Sequence, residues 1–375
     1  MRDFNELKFT FVFFFSQGTL RPDLIESASS LASSKADTIK THHNDSPLVR
    51  ELRKTGRVIE PLKDFHKDEV RQLGRDLGLS SDFVDRHPFP GPGLAIRILC
   101  HKMDNPVDPI KETLQNAANE NTASVIKTFV RYADAKANPN EVFLKLNEKI
   151  NPRDKEKLFE VTSRLPKLSA VILPFRTVGV QGDARTYSLC AAITCDKADS
   201  DKVIKTKQFW RDLYTIAKIL PTVAKYINRV VYVFSDERID ETPEHTTHTQ
   251  LTEETVTQLQ EADDICTKML RKHNIYDKIA QMPVVLVPVD FEANDQKQFG
   301  YGWIEKKQTH PVCRSVCIRP FLSSDFMTGL PGLPVETIPI ECIYDMRDGI
   351  MSEVHGISKF MIDLTPKPPG TTEWE

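Results

Sequence analysis

The chain has 375 residues, 40% of them hydrophobic and 27% charged, which is enough apolar material for two or three globular domains. Its 50 basic and 53 acidic residues give a net charge of −3. That balance excludes a whole-chain attraction to nucleic acid or anionic membrane, so any phosphate site has to be local. No apolar segment approaches the length that spans a bilayer, and the dispersed cysteines predict free thiols in a cytosolic protein rather than a zinc site.

The N-terminal segment is rich in phenylalanine, with five aromatic residues in the stretch from Phe9 to Phe15. A signal peptide is a poor match because no small-residue cleavage site follows. A buried strand is one interpretation. We favour another, in which residues 1–17 are an atypical segment translated from the pyrimidine-rich end of an intron.

Short apolar runs then alternate with polar helical stretches as far as about Ile98, which is an α/β pattern. Val58–Leu62 is typical of the end of a strand, and Asp64 is predicted to cap a helix that continues to Gly78. Arg86–Gly93 contains three prolines, which exclude a helix or a central strand and predict a stiff linker or a shaped loop.

Residues 100–165 are polar and charged with helical periodicity, which predicts an all-helical insertion. Two stretches of similar length follow, and each predicts the order strand, helix, strand. In the first, strands at 185–194 and 228–235 flank an apolar helical face that runs from Phe209 to Ile227. In the second, strands at 314–323 and 358–365 flank a helix over 338–354. A capped amphipathic helix over 252–272 and a strand over 283–288 are predicted between them.

The last nine residues, Lys367–Glu375, combine two prolines, a glycine, a tryptophan, one cation and two carboxylates. Chain ends usually fray, so this composition favours an ordered arm that reaches into a site. Lys367 suits a phosphate, and Glu373 suits a pair of N–H donors. A solvent-exposed Pro/Gly tail is the alternative.

Several other polar clusters are candidates for chemistry. Arg21 follows a Gly-Thr turn and could bind a phosphate. Such residues are more commonly found in an ordinary surface turn. Lys40, His42 and His43 fit a polyphosphate better than a metal, since no third metal ligand is near. Two surface histidines on a loop are the alternative.

Two carboxylates belong to the same group of candidates. Asp64 lies between lysines, so besides capping a helix it could hold Mg²⁺ against phosphates. Asp183 ends the run Thr177–Asp183, in which two glycines indicate close backbone approach. Its carboxylate could accept hydrogen bonds from a base or a ribose, and a tight turn with Asp as a turn residue is the alternative.

Taken together, these stretches resemble the glutamine-hydrolysing GMP synthetase family, in its eukaryotic form, from Gly18 onward. The matching runs are GTLRPDLIES, IKTHHN, VIEPLKDFHKDEVR, RHPFPGPGLAIR, TVGVQGDARTY, SSDFMTG and KPPGTTEWE. The resemblance implies an α/β fold: an incomplete parallel sheet of the adenine-nucleotide α-hydrolase type, then duplicated β-α-β dimerisation-type units with a helical insertion. The implied domains are 18–98 for the partial ATP pyrophosphatase, 99–238 for the first unit and 239–375 for the second.

The resemblance also implies a reaction, in which ATP with Mg²⁺ adenylates XMP and ammonia then displaces AMP to give GMP. Lys40, His42 and His43 match a mobile lid over the reacting centre, with Asp64 as a further catalytic candidate. The residues that match XMP contacts are Arg21, Asp183, Gln281, Lys367 and Glu373. The implied partners are the small molecules XMP and ATP, with no nucleic acid or membrane.

The sequence departs from the family in lacking a glutaminase Cys and a Ser-Gly-Gly-Val-Asp-Ser phosphate loop. We therefore expect an N-terminally truncated chain that is inactive alone. The competing hypotheses are a non-catalytic XMP-binding or partner-binding module and a generic α/β nucleotide-binding protein. Because the two β-α-β units could pair within one chain, we expect a monomer or pseudo-dimer.

Overall fold

The structure is a computed structural model that describes residues 13–21, 46–102, 109–181, 184–243, 246–291, 313–323 and 328–375. The chain forms two compact units, residues 1–86 and residues 87–375. None of the described helices combines the length and the apolar composition needed to cross a membrane.

In the first unit, a short parallel strand pair carries the start of the described chain. Strand β1 (Phe15–Ser16) pairs with β2 (Val58–Ile59), so the strand predicted near residue 58 is confirmed. Three helices are described around this pair: α1 (Pro47–Lys54), α2 (Lys67–Asp76) and α3 (Ser81–Val84).

The cap predicted at Asp64 is wrong. Asp64 lies in an exposed turn, and α2 begins only at Lys67, with His66 in the capping position. The backbone N–H of His66 donates to the carboxylate of Glu69 at 2.7 Å, which satisfies a donor at the start of the helix. The helix ends close to the predicted place, since Gly78 follows it with a φ of +79° that favours glycine.

The second unit opens with a 3₁₀ turn (Gly93–Arg97) and a group of helices. These confirm the predicted helical insertion: α4 (Pro109–Asn119), α5 (Thr122–Val130), α6 (Tyr132–Ala137), α7 (Glu141–Lys149) and α8 (Pro152–Arg164). Asn140 and Asn151 cap α7 and α8 through their side-chain oxygens, as short polar side chains commonly do.

The centre of the second unit is a six-stranded mixed sheet in the order β3-β4-β5-β10-β7-β6. Its strands are β3 (Leu168–Gln181), β4 (Ala184–Cys195), β5 (Ile227–Phe234), β6 (Val284–Val287), β7 (Arg314–Ile318) and β10 (Ile357–Asp363). The remaining elements are α9 (Lys197–Ser200), α10 (Lys207–Val223), α11 (Glu253–Lys272), a 3₁₀ turn (Tyr276–Lys278), the pair β8 (Phe321–Leu322) and β9 (Leu330–Pro331), and α12 (Ile340–Glu353).

Both predicted strand–helix–strand stretches are present. β4 and β5 are parallel and connected through α10, and β7 and β10 are parallel and connected through α12. The two halves meet where β5 and β10 pair antiparallel at the middle of the sheet. β3 and β6 pair antiparallel to β4 and β7, so each half has the same order of strand, strand, helix, strand. The first helix is shorter than predicted, because α10 ends at Val223 and Ile227 already begins β5.

The strands separate two apolar layers, since alternate residues of a strand point to opposite faces. Val230 and Tyr232 belong to the layer that includes α10, α11 and α12, whereas Val231 and Val233 belong to the other layer. Both layers consist of buried side chains. All seven cysteines are free, as predicted, and five of them are buried in these layers and the helices beside them.

The segment that precedes the sheet packs with the second unit, although the sequence assigned residues 87–98 to the earlier domain. Ile98 forms an isolated bridge to Leu286 of β6, and the N–H of Leu99 donates to the Leu286 carbonyl at 3.0 Å. Pro88–Pro92 is neither helix nor strand, as the prolines predict. The division after residue 238 stays a prediction.

Candidate functional site

The C-terminal arm, residues 366–375, is docked along the edge strand β3. The N–H of Val180 donates to the Pro369 carbonyl at 2.7 Å, and the N–H of Val178 donates to the Trp374 carbonyl at 2.8 Å. Trp374 is fully buried and lies 6.1 Å from Phe175, between ring centroids. The predicted ordered arm is therefore confirmed, and it also covers the free hydrogen-bonding groups of an edge strand.

Two glycines permit this close approach. A β carbon on Gly179 would lie 2.9 Å from the Pro369 carbonyl oxygen, and one on Gly370 would lie 3.1 Å from Nη2 of Arg319. The prediction that the glycines of the Thr177–Asp183 run indicate close backbone approach is confirmed at Gly179. Gly182 and Asp183 lie outside the described residues.

Arg229, a fully buried residue of β5, anchors the arm. Its Nη2 donates to the carbonyl of Thr371 at 3.0 Å, to the Thr371 hydroxyl at 2.8 Å and to the carbonyl of Glu373 at 3.2 Å. Its guanidinium carbon lies 4.8 Å from the ring centroid of Trp374, a cation–π distance. One buried cation thus binds Thr371, the backbone of Glu373 and the aromatic ring of the arm.

Asp363 pairs with two buried arginines in this region. Its Oδ2 accepts from Arg229 at 2.9 Å and from Arg319 at 2.6 Å. Burial by itself would raise the pKa of Asp363, but the charges of Arg319 and Arg229 outweigh it and hold that pKa below its usual range. Burial and the nearby Arg319 lower the pKa of Arg229 to about 10, so it stays charged at neutral pH. Two cations and one carboxylate leave an excess positive charge beneath the arm.

A cavity of about 910 Å³ lies beside the arm, against the C-terminal half of α10. Residues 366–369 of the arm form one wall, and Lys367 and Lys218 are its cations. No acidic side chain is among the described residues that line it. The other lining residues are Val180, Tyr214, Pro221, Thr222, Leu322, Ser323, Thr328, Gly329 and Leu330. The cavity is therefore locally cationic in a chain whose net charge is negative.

Lys367 is held by the arm and by the β8–β9 hairpin. Its backbone bridges to Gly329, and its Nζ donates to the hydroxyl of Thr372 at 3.2 Å. The same ammonium lies 5.8 Å from the ring centroid of Phe321. These contacts fix the ammonium of Lys367 beside the arm and Phe321, and Lys367 itself contributes to the wall of the cavity.

Gln281 binds the proline-rich loop, and Glu373 binds the 3₁₀ turn that follows this loop. Gln281 exchanges backbone hydrogen bonds with Phe321, and its side-chain amide donates to the Pro88 carbonyl at 2.6 Å. Arg97, which is nearly buried, donates twice to the carboxylate of Glu373, each bond at 3.1 Å. The N–H pair expected for Glu373 is thus a guanidinium of this same chain. Three of the five predicted XMP contacts are gathered around the arm, the loop and Phe321.

In the first unit, Arg21 and Asp64 are exposed and close in the fold. The N–H of Arg21 donates to the carbonyl of Phe65 at 3.1 Å, next to Asp64. Sequence reasoning missed Glu60, whose carboxylate accepts from Gln17 at 2.7 Å and from Thr19 at 2.6 Å. The signal was its place at the end of β2, where a single acidic residue faces the turn that carries Arg21.

Glu60 also pairs with Arg53 of α1. The guanidinium donates to both carboxylate oxygens, at 2.9 and 2.8 Å. The Arg53 hydrogen bonds lower the pKa of Glu60 to about 2, against the opposing effect of burial. Glu60 therefore stays ionised at neutral pH and fixes the turn before Arg21. Lys40, His42 and His43 lie outside the described residues.

Fold and site together define an α/β protein whose own C-terminal arm closes a cationic cavity. Residues 268–374 match the family described as "GMP synthase C terminal domain". The chain is 43% identical to a probable GMP synthase [glutamine-hydrolyzing] of Caenorhabditis elegans, over 97% of this chain and 48% of that protein. It is 40% identical to a GMP synthase [glutamine-hydrolyzing] of Dictyostelium discoideum, over 96% of this chain and 46% of that protein. The chain belongs to the GMP synthase family.

A bacterial relative supports the same assignment at lower identity. A probable GMP synthase [glutamine-hydrolyzing] of Leptospira interrogans is 31% identical over 96% of this chain and 46% of that protein. The chain thus spans about half the length of the curated relatives it matches.

Proposed function

We propose that this chain takes part in GMP synthesis and binds XMP in the cavity beside the C-terminal arm. The observation that carries the proposal is the cationic wall of that cavity, where Lys367 is held by the arm. A nucleoside monophosphate brings a dianionic group to such a wall, and a lysine is a common phosphate partner. The relatives named above are GMP synthases, which supports this ligand over other nucleotides.

In this proposal Lys367 binds the 5′-phosphate, while Asp183, Gln281 and Glu373 orient the ribose and the base. Glu373 is already bound by Arg97, so its carboxylate oxygens are fixed in direction before a ligand arrives. Arg21, Lys40, His42, His43 and Asp64 are proposed to act on the nucleotide and the adenylated intermediate. The proposed lid that carries Lys40, His42 and His43 would exclude water from the adenylated XMP.

The proposed reaction uses ATP with Mg²⁺, which would neutralise phosphate charge during adenylation. Within the described ranges no group of three His, Cys, Asp or Glu side chains is arranged to hold a metal ion. We therefore assign no protein ligand for Mg²⁺. The use of ammonia from glutamine is proposed for the whole enzyme.

We also propose that the two strand–strand–helix–strand halves take the place of two subunits. The antiparallel pairing of β5 with β10 at the centre of the sheet supports this reading. The site would then be present once, because the arm exists only in the second half.

The test of the ligand is a calorimetric titration of the 375-residue chain with XMP and with xanthosine. We expect Lys367→Ala to weaken XMP binding by about 1.5–3 kcal/mol, the scale of a charge-assisted hydrogen bond. Xanthosine has no phosphate, so its binding should change much less. Lys225→Ala removes an equal charge from an exposed lysine outside the cavity and is the control. Equal losses for both ligands would reject Lys367 as the phosphate partner.

A further inference from the structure

Lys218, on the C-terminal half of α10, is the other cation of the cavity that Lys367 borders. It is exposed, and no hydrogen bond or ion pair of its ammonium is found within the described part of the chain. The two lysines come from different halves of the sheet, since α10 connects β4 to β5 and Lys367 follows β10. A small anion in the cavity would therefore have one cation from each half.

Lys218 also borders a neighbouring cavity between α8 and α10, which contains several acidic residues. These acids have other partners. Asp212 accepts from Arg164 at 2.8 Å and from Gln208 at 2.8 Å, and Arg164 also binds Glu160. Asp212 and Glu160 thus share Arg164 as their ion-pair partner, and among the described residues Lys218 forms no ion pair with either of them.

The internal symmetry of the sheet supplies an independent comparison. A second cavity, of about 280 Å³, lies against α12, the connecting helix of the other half. Tyr214 precedes the first residue of β5 by thirteen positions, and Tyr344 precedes the first residue of β10 by thirteen. Both tyrosines line their cavities, as do the residues seven positions after them, Pro221 and Met351. The two cavities are therefore counterparts across the middle of the sheet.

The position that corresponds to Lys218 in the counterpart cavity is Asp348, four residues after Tyr344. That carboxylate binds Arg347 at 2.7 Å, and Lys197 binds Asp236 at 2.8 Å in the same cavity. The described residues of the counterpart cavity include as many acidic as cationic side chains. The cations are Lys197, Arg347 and Lys359, and the acids are Asp201, Asp236 and Asp348. The charge at this helical position is thus reversed between the two halves, and only the half that faces the arm keeps the cation.

We propose that Lys218 is a second phosphate-binding residue, which holds the phosphate of the nucleotide together with Lys367. The proposal rests on the proposed function, since it names a further contact within the same XMP site. The buried excess charge of Arg229, Arg319 and Asp363 lies under the adjoining part of the arm and adds to the field that an anion meets there. A dianionic phosphate is bound between the two lysines, and the counterpart cavity does not bind one.

The test is titration of the full chain with XMP and xanthosine for three variants. Lys218→Gln should raise the Kd for XMP about tenfold or more, the effect of losing a charge-assisted hydrogen bond, and should leave xanthosine binding nearly unchanged. Lys225→Gln removes the same charge two residues beyond α10 and should change neither. Asp348→Lys places a cation at the corresponding position of the counterpart cavity and should leave both the affinity and the number of XMP molecules bound unchanged.

The outcomes separate this inference from the proposed function. If Lys218→Gln binds XMP as tightly as the unmodified chain does, Lys218 is not a phosphate contact, while the proposed function stands. If the unmodified chain binds no XMP, the proposed function itself fails. If Lys225→Gln weakens XMP binding as much as Lys218→Gln does, the effect is one of net charge, and the specific contact is rejected. Circular dichroism of each variant confirms that the exposed substitutions leave the fold intact.

Discussion

At the scale of single residues, buried charged side chains hold other segments of this chain in position. Arg229 is fully buried, yet three of its contacts are to backbone or hydroxyl oxygens of the arm rather than to a ligand. A guanidinium suits this work because its donors lie in a fixed plane, so one side chain can hold several acceptors at once. Asp363 supplies the counter-charge that makes the burial tolerable.

Glu60 likewise holds a turn of the first unit in position, and its ionisation predicts how stability depends on pH. Its pKa in the folded chain is about 2 against a usual 4.5, so its contribution to stability is present above pH 4.5 and is lost as pH falls toward 2. Glu60→Gln should lower the free energy of unfolding at pH 7 by about 1 kcal/mol. The difference between the two proteins should shrink at pH 3.

Calorimetric melting at pH 7 and pH 3 checks this prediction. Glu51→Gln is the matched control, because among the described residues its carboxylate makes one exposed pair, with Lys54 at 3.6 Å. A Glu60→Gln effect that is the same size at both pH values would contradict the assigned pKa.

At the scale of elements, the arm depends on a small number of polar contacts. The hydroxyl of Thr371 accepts from Arg229 and lies 2.9 Å from the Val178 carbonyl, to which it donates. Thr371→Val keeps the shape but removes both of these hydrogen bonds, so we expect the arm to detach more often and XMP affinity to fall by about 1–3 kcal/mol. Trp374 should become more accessible, which quenching of tryptophan fluorescence measures.

Thr113→Val is the control for the arm, since the one hydrogen bond of its hydroxyl within the described part of the chain is to the Pro109 carbonyl on its own helix. An unchanged XMP affinity and unchanged quenching in Thr371→Val would mean that the arm does not depend on this contact.

The elements also show what the sequence could and could not predict. Five of the six strands of the sheet were predictable because short apolar runs and the connecting helix pattern are local signals, whereas β3 was not assigned as a strand. The arm was predictable because proline and tryptophan are unusual at a chain end. The start of the helix near Asp64 was not predictable. A turn after Pro61 delays the helix to Lys67, and the residue types at 64 and 66 can both precede a helix.

The contacts of the site were less accessible to sequence reasoning. Arg229 looked like one charge at the start of an apolar strand, and its function depends on Asp363 and on the arm, which lie more than a hundred residues further along the chain. The pairing of Arg97 with Glu373 was missed for the same reason. Glu60 was hidden because its partners Gln17 and Thr19 are polar residues of an unremarkable turn. Only the fold brings such residues together.

At the scale of the whole molecule, segments outside the sheet pair with part of each edge strand. The arm pairs with β3 at one edge, and Ile98 and Leu99 pair with β6 at the other. Both apolar layers of the sheet are also buried within the chain. Within the described residues, the covered parts of both edges and the two buried apolar layers leave the sheet little surface that a second copy would have to cover.

We therefore predict that the chain is monomeric, as two fused halves that serve as one pseudo-dimer. Sedimentation equilibrium at several concentrations should return the mass of one 42.7 kDa chain throughout. A defined dimer that dissociates on dilution would overturn the pseudo-dimer reading, whereas irregular aggregation would point instead to exposed phenylalanines such as Phe13.

The central claim is that the cavity beside the arm holds the phosphate of XMP, and a crystal structure of the chain with XMP tests it most directly. The account predicts one XMP per chain, with its phosphate between Lys367 and Lys218 and its base toward Gln281 and Glu373. XMP bound in the counterpart cavity against α12, or with its phosphate away from Lys367, would contradict it.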